Sequence, residues 1–263
     1  MSAPTGKYLS KLANKRVLVL GGTSGIGFGV AEAALEHGAE VIVSNSNQPR
    51  LDAALARLRT AYPDAKIRGY TCDLSDAANV EANVDSLLSR AAADGTKIHH
   101  VAFTAGDSLP DLNLANATVA SINAAMAVRF AGAVILAKLL PRYMDLDPAN
   151  SLTLTGGTNT DKPSAGWSVL AGIGGAVEAL SRGLAVDLKP VRVNLVSPGA
   201  VKTELFERFD TEMGGQLEAA YKAHTTTGEI GRPGDVAEAY IYLMKDRFAS
   251  GAIVNTNGGR LLA

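Results

Sequence analysis

Gly21-Gly22-Thr23-Ser24-Gly25-Ile26-Gly27 is the run in this chain with the clearest chemistry. It follows the apolar segment 16–20 and opens a helix-period stretch that reaches His37. Glycine lacks a Cβ, so the backbone can come close to a pyrophosphate, and a helix N-terminus offers free N–H groups and the positive end of its dipole. The same run can be a tight turn without a ligand; its place directly after the first strand favours the nucleotide reading. About 20 residues on, a nucleotide fold uses an acidic residue to hold the ribose 2′-hydroxyl. Here that turn reads Ser44-Asn45-Ser46-Asn47, with no carboxylate. Asn45, Ser46 and Asn47 can donate hydrogen bonds to a 2′-phosphate, and Arg50 adds charge. The expected cofactor is therefore NADP(H), against the alternative of a plain polar turn.

Other reactive side chains are sparse. One Tyr-x-x-x-Lys spacing exists, Tyr62 to Lys66, but Pro63 and Asp64 between them mark a surface turn. His99 and His100 lie at the entry to a strand, away from any site, and no spacing among the histidines and Cys72 resembles a metal site. Asp107 follows a strand at the edge where ligands bind, as an acid or, preferably, a loop cap. Thr155 can donate a hydrogen bond to substrate or simply end a strand. Trp167 lines a pocket or fills core. Gly172, Gly174 and Gly175 sit inside a helix-period segment, each costing about 1 kcal/mol against Ala. They serve close packing against a neighbour or clear space for a bulky substrate.

These residues need a scaffold, and the hydrophobic pattern supplies one. Short Val/Ile-rich runs at 16–20, 40–44, 66–71, 98–103, 151–155, 191–196 and 252–255 read as strands. Helix-period segments follow at 49–62, 77–92, 119–144, 167–188 and 233–245, and 203–232 reads as an irregular insertion. The alternation predicts an α/β fold, a doubly wound seven-stranded parallel sheet with helices on both faces, in a single domain over 1–263. With 263 residues, 47% hydrophobic and 19% charged, the chain suits one such core. A net charge of −1 speaks against nucleic acid as a partner, and one cysteine excludes an internal disulfide. No signal-peptide pattern and no uncharged 18-residue apolar stretch is apparent, so the expectation is a cytoplasmic protein that does not enter membranes.

The combined motifs resemble the short-chain dehydrogenase/reductase family across nearly the whole chain. Gly21-x3-Gly25-x-Gly27 resembles its glycine motif, and Asp73-Leu74 the residues that hold adenine after the third strand. Thr104-Ala105-Gly106 stands where the family carries Asn-Ala-Gly. Pro198-Gly199-Ala200-Val201 resembles the turn that covers the nicotinamide, with Thr203 as a pyrophosphate or amide contact. Gly231-Arg232-Pro233 and Asn257-Gly258-Gly259 match C-terminal landmarks. By the same resemblance, the catalytic tyrosine falls on Leu170 and its lysine, four residues on, falls on Gly174. The serine falls on Gly157 or Gly156, with Thr155 the nearest hydroxyl, and the helix asparagine falls at about Val128, beside Arg129. Every usual catalytic residue is thus replaced.

The family's tyrosine protonates the alkoxide that hydride transfer makes from a ketone. An iminium accepts hydride and becomes a neutral amine without that proton, so the missing pair suits C=N better than C=O, and losing the lysine removes a repulsive charge. The segments 99–105, 128–130, 137–144, 166–168 and 240–246 resemble an atypical fungal branch, the reductase/Diels–Alderase proteins of bridged indole-alkaloid biosynthesis. That branch implies an active-site role for Arg129 and an aspartate shortly before Gly166-Trp167; Ser164 stands there, with Asp161 three residues earlier. The expected activity is NADPH-dependent reduction of an iminium in a bulky secondary metabolite, with Arg129 and Thr155 catalytic and Asp107, Gly157, Ser164, Trp167, Leu170 and Gly174 lining the substrate pocket. A cyclase or isomerase that uses the cofactor as template, and a dinucleotide-binding pseudoenzyme, are the alternatives. The family implies a homo-oligomer, dimer or tetramer, built through the segments 119–144 and 167–188.

Overall fold

The structure is a computed structural model that describes residues 6–106, 112–212 and 214–263. Its centre is β1 (Arg16–Leu20), buried along its full length. Val17 and Val19 point into a core shared with α1 (Gly25–Glu36), α2 (Gln48–Ala61) and α9 (Pro233–Lys245). Leu18 and Leu20 point the other way, toward α3 (Val80–Ala91), α5 (Ala133–Leu139) and α6 (Ser168–Asp187). A strand buried on both faces reads as an unbroken apolar run, which is why β1 is plain in the sequence.

The remaining strands are β2 (Glu40–Asn45), β3 (Ile67–Thr71), β4 (His100–Phe103), β5 (Ser151–Thr155), β6 (Arg192–Pro198) and β7 (Ile253–Thr256). They form one parallel sheet in the order β3-β2-β1-β4-β5-β6-β7, with Leu20 level with Ser44 on one side and Phe103 on the other. This is the doubly wound seven-stranded sheet that the alternation of strands and helices predicts. The chain leaves β3 at one edge and returns as β4 beside β1. The order reverses there, and the crevice outside the carboxyl ends of β1 and β4 is where such a sheet takes a ligand. The amino ends of the central strands are closed by a structural network: buried Arg16 is paired with Glu40 at 2.9 Å and Asp94 at 2.7 Å. His100 lies toward this end, bonded to Ser151 Oγ at 2.9 Å, and burial pushes its pKa down to about 3.

Two segments differ from the sequence expectation. The stretch expected as one helix over 119–144 is α4 (Val119–Met126), a π-helical segment Ala127–Gly132, α5 and a short 3-10 turn. A π turn shifts the helical phase by one residue, but this stretch is apolar nearly all round, so the shift leaves no visible break in the sequence. The stretch 203–232, expected to be irregular, holds α7 (Glu204–Glu212) and α8 (Leu217–Ala223), packed together edge-to-face by Phe206 and Tyr221 at 6.0 Å. Neither helix has a fully buried residue, but Leu205, Phe206 and Phe209 share one face of α7 at helical spacing, a signal that the reading of this stretch as irregular passed over. Among the described residues, Val119–Arg142 and Ser168–Asp187 are long and apolar enough to cross a membrane. In this fold both form a layer on the sheet, with Leu136, Ile173 and Val177 in or beside its core.

Candidate active site

The site is built where β1, β4, β5 and β6 end. Gly21 leaves β1 with φ +79°, and its amide donates to Ser44 O at 2.9 Å. A Cβ at Gly21 would stand 2.7 Å from the Ala105 backbone, so β1 and β4 can converge only with glycine there. A Cβ at Gly27 would overlap Thr104 Oγ1 and the Gly21 carbonyl, so α1 can seat against the turn only with glycine at that position too. Thr104 Oγ1 donates to Leu20 O at 2.7 Å and ties the two strand ends together. Ser24 is the exposed N-cap of α1 and makes no side-chain cap bond. Ile26 turns into the core. The Gly25 amide donates to Glu204 Oε2 at 2.9 Å, and Thr203 Cγ2 lies where it would stand 2.9 Å from a Gly25 Cβ.

Beside this loop lies a cleft of about 100 Å³, lined by Leu20, Gly21, Asn45, Ser46, Asp73, Leu74, Ala105 and Gly106 among others. Asn45 Nδ2 donates to Thr23 Oγ1 at 2.7 Å, and Asn45 Oδ1 accepts from the Asn47 amide at 2.8 Å. Asn47 Oδ1 in turn caps α2 by accepting from the Arg50 amide at 2.9 Å. Asn45 is thus held as part of the turn, and its side-chain amide already has an acceptor. Asp73 Oδ1 accepts from both the Ser75 hydroxyl and amide, at 2.7 and 2.8 Å, which holds the carboxyl below its usual range. Burial pushes the neighbouring Cys72 thiol up to about 11.

Across the cleft the π segment brings Val128 to the wall and lays the Arg129 guanidinium against Gly106, within 2.6 Å of where a Cβ would stand. Thr155 is placed differently from a substrate donor. Its Oγ1 donates to Phe103 O at 2.7 Å and meets the buried Tyr240 hydroxyl at 2.5 Å, so its proton is used between strands. Pro198 ends β6, and Gly199 donates to Thr256 O at 3.1 Å with Asn257 pressed against it. The Ala200 carbonyl accepts from Gly231, and buried Val201 bridges to the same residue. Gly157 leaves open space beside Pro198 O.

On α6, Leu170 is half-buried and Gly174 is a notch filled from above: Thr160 Oγ1 sits in the place of a Gly174 Cβ. Glu178, one turn on, is buried, and its carboxyl is pushed up first by burial and then by Asp161, with a hydrogen bond from Thr160 acting the other way. So Gly174 makes room for this chain's own loop rather than for open volume. Ser164 is exposed and its carbonyl accepts from the half-buried Trp167 amide at 3.1 Å, in the turn before α6. Asp107 lies outside the described residues. Glu204, Thr160 and Tyr240 are the site-side groups that the sequence did not single out. Their contacts bridge distant segments, and only the position of Glu204 next to Thr203 was a local clue. Among the described residues, no group of three or more His, Cys, Asp or Glu is placed to hold a metal.

The arrangement is a cradle for a dinucleotide. Glycines stand where a Cβ would collide, a helix N-terminus faces the turn, and an ionised Asp73 edges the cleft. No tyrosine–lysine pair accompanies it on α6.

Comparison with known proteins gives the same picture. A model of the SDR-like Rossmann domain matches residues 8–263. The chain is 47% identical over 267 residues to the short-chain dehydrogenase/reductase malC of Malbranchea aurantiaca, covering 99% of each chain. It is 40% identical over 258 residues to the short-chain dehydrogenase/reductase ucsE of an Acremonium species, covering 96% of this chain and 97% of that one. Among solved structures it superposes on the MalC reductase/Diels-Alderase from Malbranchea aurantiaca with a TM-score of 0.94 at 45% identity, covering 98% of this chain and 100% of that one. A short-chain dehydrogenase/reductase from Brucella melitensis, with a TM-score of 0.84 at 21% identity over 96% of this chain and 99% of that one, shares the fold.

Proposed function

The chain belongs to the short-chain dehydrogenase/reductase family, whose fold implies a nicotinamide dinucleotide, and from that premise we propose that it is an NADPH-dependent reductase of a C=N or iminium group in a bulky secondary-metabolite intermediate. The observation that carries the reading is the face of α6. By the family resemblance Leu170 falls at the tyrosine position and Gly174 at the lysine position, and Thr160 fills the Gly174 notch. Neither Leu170 nor Gly174 can deliver a proton. A ketone needs one after hydride addition; an iminium does not.

The glycine-rich loop, with Thr23, Ser24, Gly25 and Ile26, holds the pyrophosphate. Asn45, Ser46 and Asn47 with Arg50 take the 2′-phosphate, and Asp73 and Leu74 take adenine. Thr104, Ala105 and Gly106 border the nicotinamide from one side and Pro198–Val201 with Thr203 from the other. When bound, the reduced nicotinamide supplies the hydride. Arg129, against Gly106, orients the substrate, with Gly157, Ser164, Trp167 and Leu170 shaping the pocket and Asp107 assigned to the same edge. Thr155 acts through the sheet, by pinning β5 to β4 and α9.

A second reading has one specific support: the 45%-identical structure carries the name reductase/Diels-Alderase. In that reading the same pocket templates a cycloaddition after or instead of reduction. We assign a homo-oligomer, a dimer or tetramer, to the apolar outer faces of α4 and α6, where Val119 is 76% and Val186 67% exposed, and a cytoplasmic location without membrane insertion.

The test follows the loss of reduced-nicotinamide absorbance against matched cyclic imines and ketones, with NADH beside NADPH. Turnover of imines and not ketones, with NADPH preferred, is the expected result. Equal turnover of ketones overturns the C=N assignment.

A further inference from the structure

The dinucleotide reading gives the first N–H of α1 a definite role, which is to face the pyrophosphate. In the structure that amide, of Gly25, donates to the Glu204 carboxylate at 2.9 Å. Thr203, the preceding residue, packs its methyl over Gly25, so the contact is seated rather than grazing. The surroundings favour an anion here. Ser24 makes no side-chain cap bond, and the first turn of α1 holds no acidic residue of its own. The charge that complements this helix end comes from 179 residues away, from the first residue of α7.

The contact also ties the start of α7, which the Thr203 hydroxyl and carbonyl cap, to the loop. The helix buries no side chain, and the other contacts around it are local: Phe206 against Tyr221, the Asp210 carboxylate accepting from the Leu217 and Glu218 amides, and Thr203 Oγ1 accepting from the Phe206 amide. Glu204 thereby joins this surface unit to the glycine-rich loop.

We propose that Glu204 is a latch that competes with the pyrophosphate for the Gly25 amide. One N–H cannot serve two anions at full strength, and two negative groups a few ångströms apart repel. A bound pyrophosphate therefore displaces the Glu204 carboxylate and breaks its tie to the loop, leaving Thr203 as the contact at the start of α7. Dinucleotide binding and the position of α7 are linked through one carboxylate, and the linkage weakens the wild-type affinity. The proposal rests on the dinucleotide reading above.

The test compares the whole protein with Glu204→Gln and Glu204→Ala. Glutamine keeps an acceptor and removes the charge; alanine removes both. Affinities are measured by fluorescence and calorimetry for NADPH, for ADP-ribose and for adenosine 2′-monophosphate, which lacks a pyrophosphate. Removing an anion from a helix N-terminus that the ligand's own anion must occupy is expected to tighten NADPH and ADP-ribose by roughly fivefold to tenfold. Binding of adenosine 2′-monophosphate is expected to stay the same, and NADPH is expected to speed hydrogen exchange at the start of α7 in the wild type more than in Glu204→Gln. Unchanged or weaker NADPH binding in both variants overturns the latch while leaving the cofactor reading standing. A wild type that binds neither NADPH nor ADP-ribose overturns the cofactor reading itself, and the latch with it.

Discussion

Gly106→Ala separates the position of Arg129 from the stability of the fold. A Cβ at 106 would stand 2.6 Å from Arg129 Nη1 and closer still to Cζ, where ordinary contact begins at 3.4 Å. The guanidinium must therefore retreat by about 1 Å. The obstacle is the far end of a long side chain rather than backbone, so the fold can absorb it, at a cost of about 1 kcal/mol or less, roughly 2–4 °C in Tm. A group that orients substrate has no such slack: a displacement of about 1 Å at a reacting centre costs on the order of 10²-fold. The expected outcome is a kcat/KM for the imine lower by about 100-fold, near 2.7 kcal/mol in transition-state stabilisation. Gly106 also lines the dinucleotide cleft, so NADPH affinity is titrated beside the kinetics, and the loss assigned to Arg129 is the part of kcat/KM that persists at saturating NADPH. The assay is steady-state kinetics beside a thermal melt and an NADPH titration. The double variant with Arg129→Ala should be no slower than Arg129→Ala alone, because both changes act through one guanidinium. Wild-type kcat/KM in a folded Gly106→Ala protein would refute the placement of Arg129 at the reacting centre.

Three further outcomes follow from the same geometry. Gly27→Ala, unlike Gly106→Ala, drives a Cβ into backbone at Gly21 as well as Thr104 Oγ1; it should cost about 1–3 kcal/mol in urea unfolding and weaken NADPH binding at least tenfold. Asn45→Asp places a carboxylate at the end of β2, where a ribose 2′-hydroxyl is held and a 2′-phosphate repelled, and should shift the NADPH/NADH preference toward NADH by roughly tenfold or more. His100, buried near Arg192, titrates at about 3 in the folded chain against an ordinary 6.5. The unfolded chain therefore binds the extra proton first, and stability falls as pH drops from about 6.5 toward 3, by up to about 1.4 kcal/mol per pH unit. Urea midpoints between pH 7 and pH 5 should show this slope, and His100→Asn should flatten it.

Much of the scaffold is legible in the sequence for a physical reason. Strands such as β1, buried on both faces, must be apolar throughout, and Gly21 and Gly27 are demanded by collisions with Ala105 and Thr104 that any nucleotide-binding version of this turn would share. What stayed hidden depends on contacts between distant segments. The π segment that carries Arg129 lies in a stretch that is apolar nearly all round, so its shift of helical phase leaves no local mark. The Thr155 hydroxyl looks free in sequence and is spoken for by Phe103 and by Tyr240, 85 residues on. Gly174 looks like cleared space until Thr160 is seen to fill it; α7, by contrast, was legible in the helical spacing of Leu205, Phe206 and Phe209. Asn45 illustrates the middle case: the turn it belongs to is evident, but its commitment to Thr23 is not.

Hydride transfer to a C=N carbon is the central claim, and a single turnover with NADPH deuterated at C4 of the nicotinamide tests it most directly. Mass spectrometry of the product from a matched cyclic imine should find deuterium at the former imine carbon, while the corresponding ketone comes back unlabelled. Product formed without deuterium while NADPH is bound, or deuterium delivered equally well to the ketone, would contradict it.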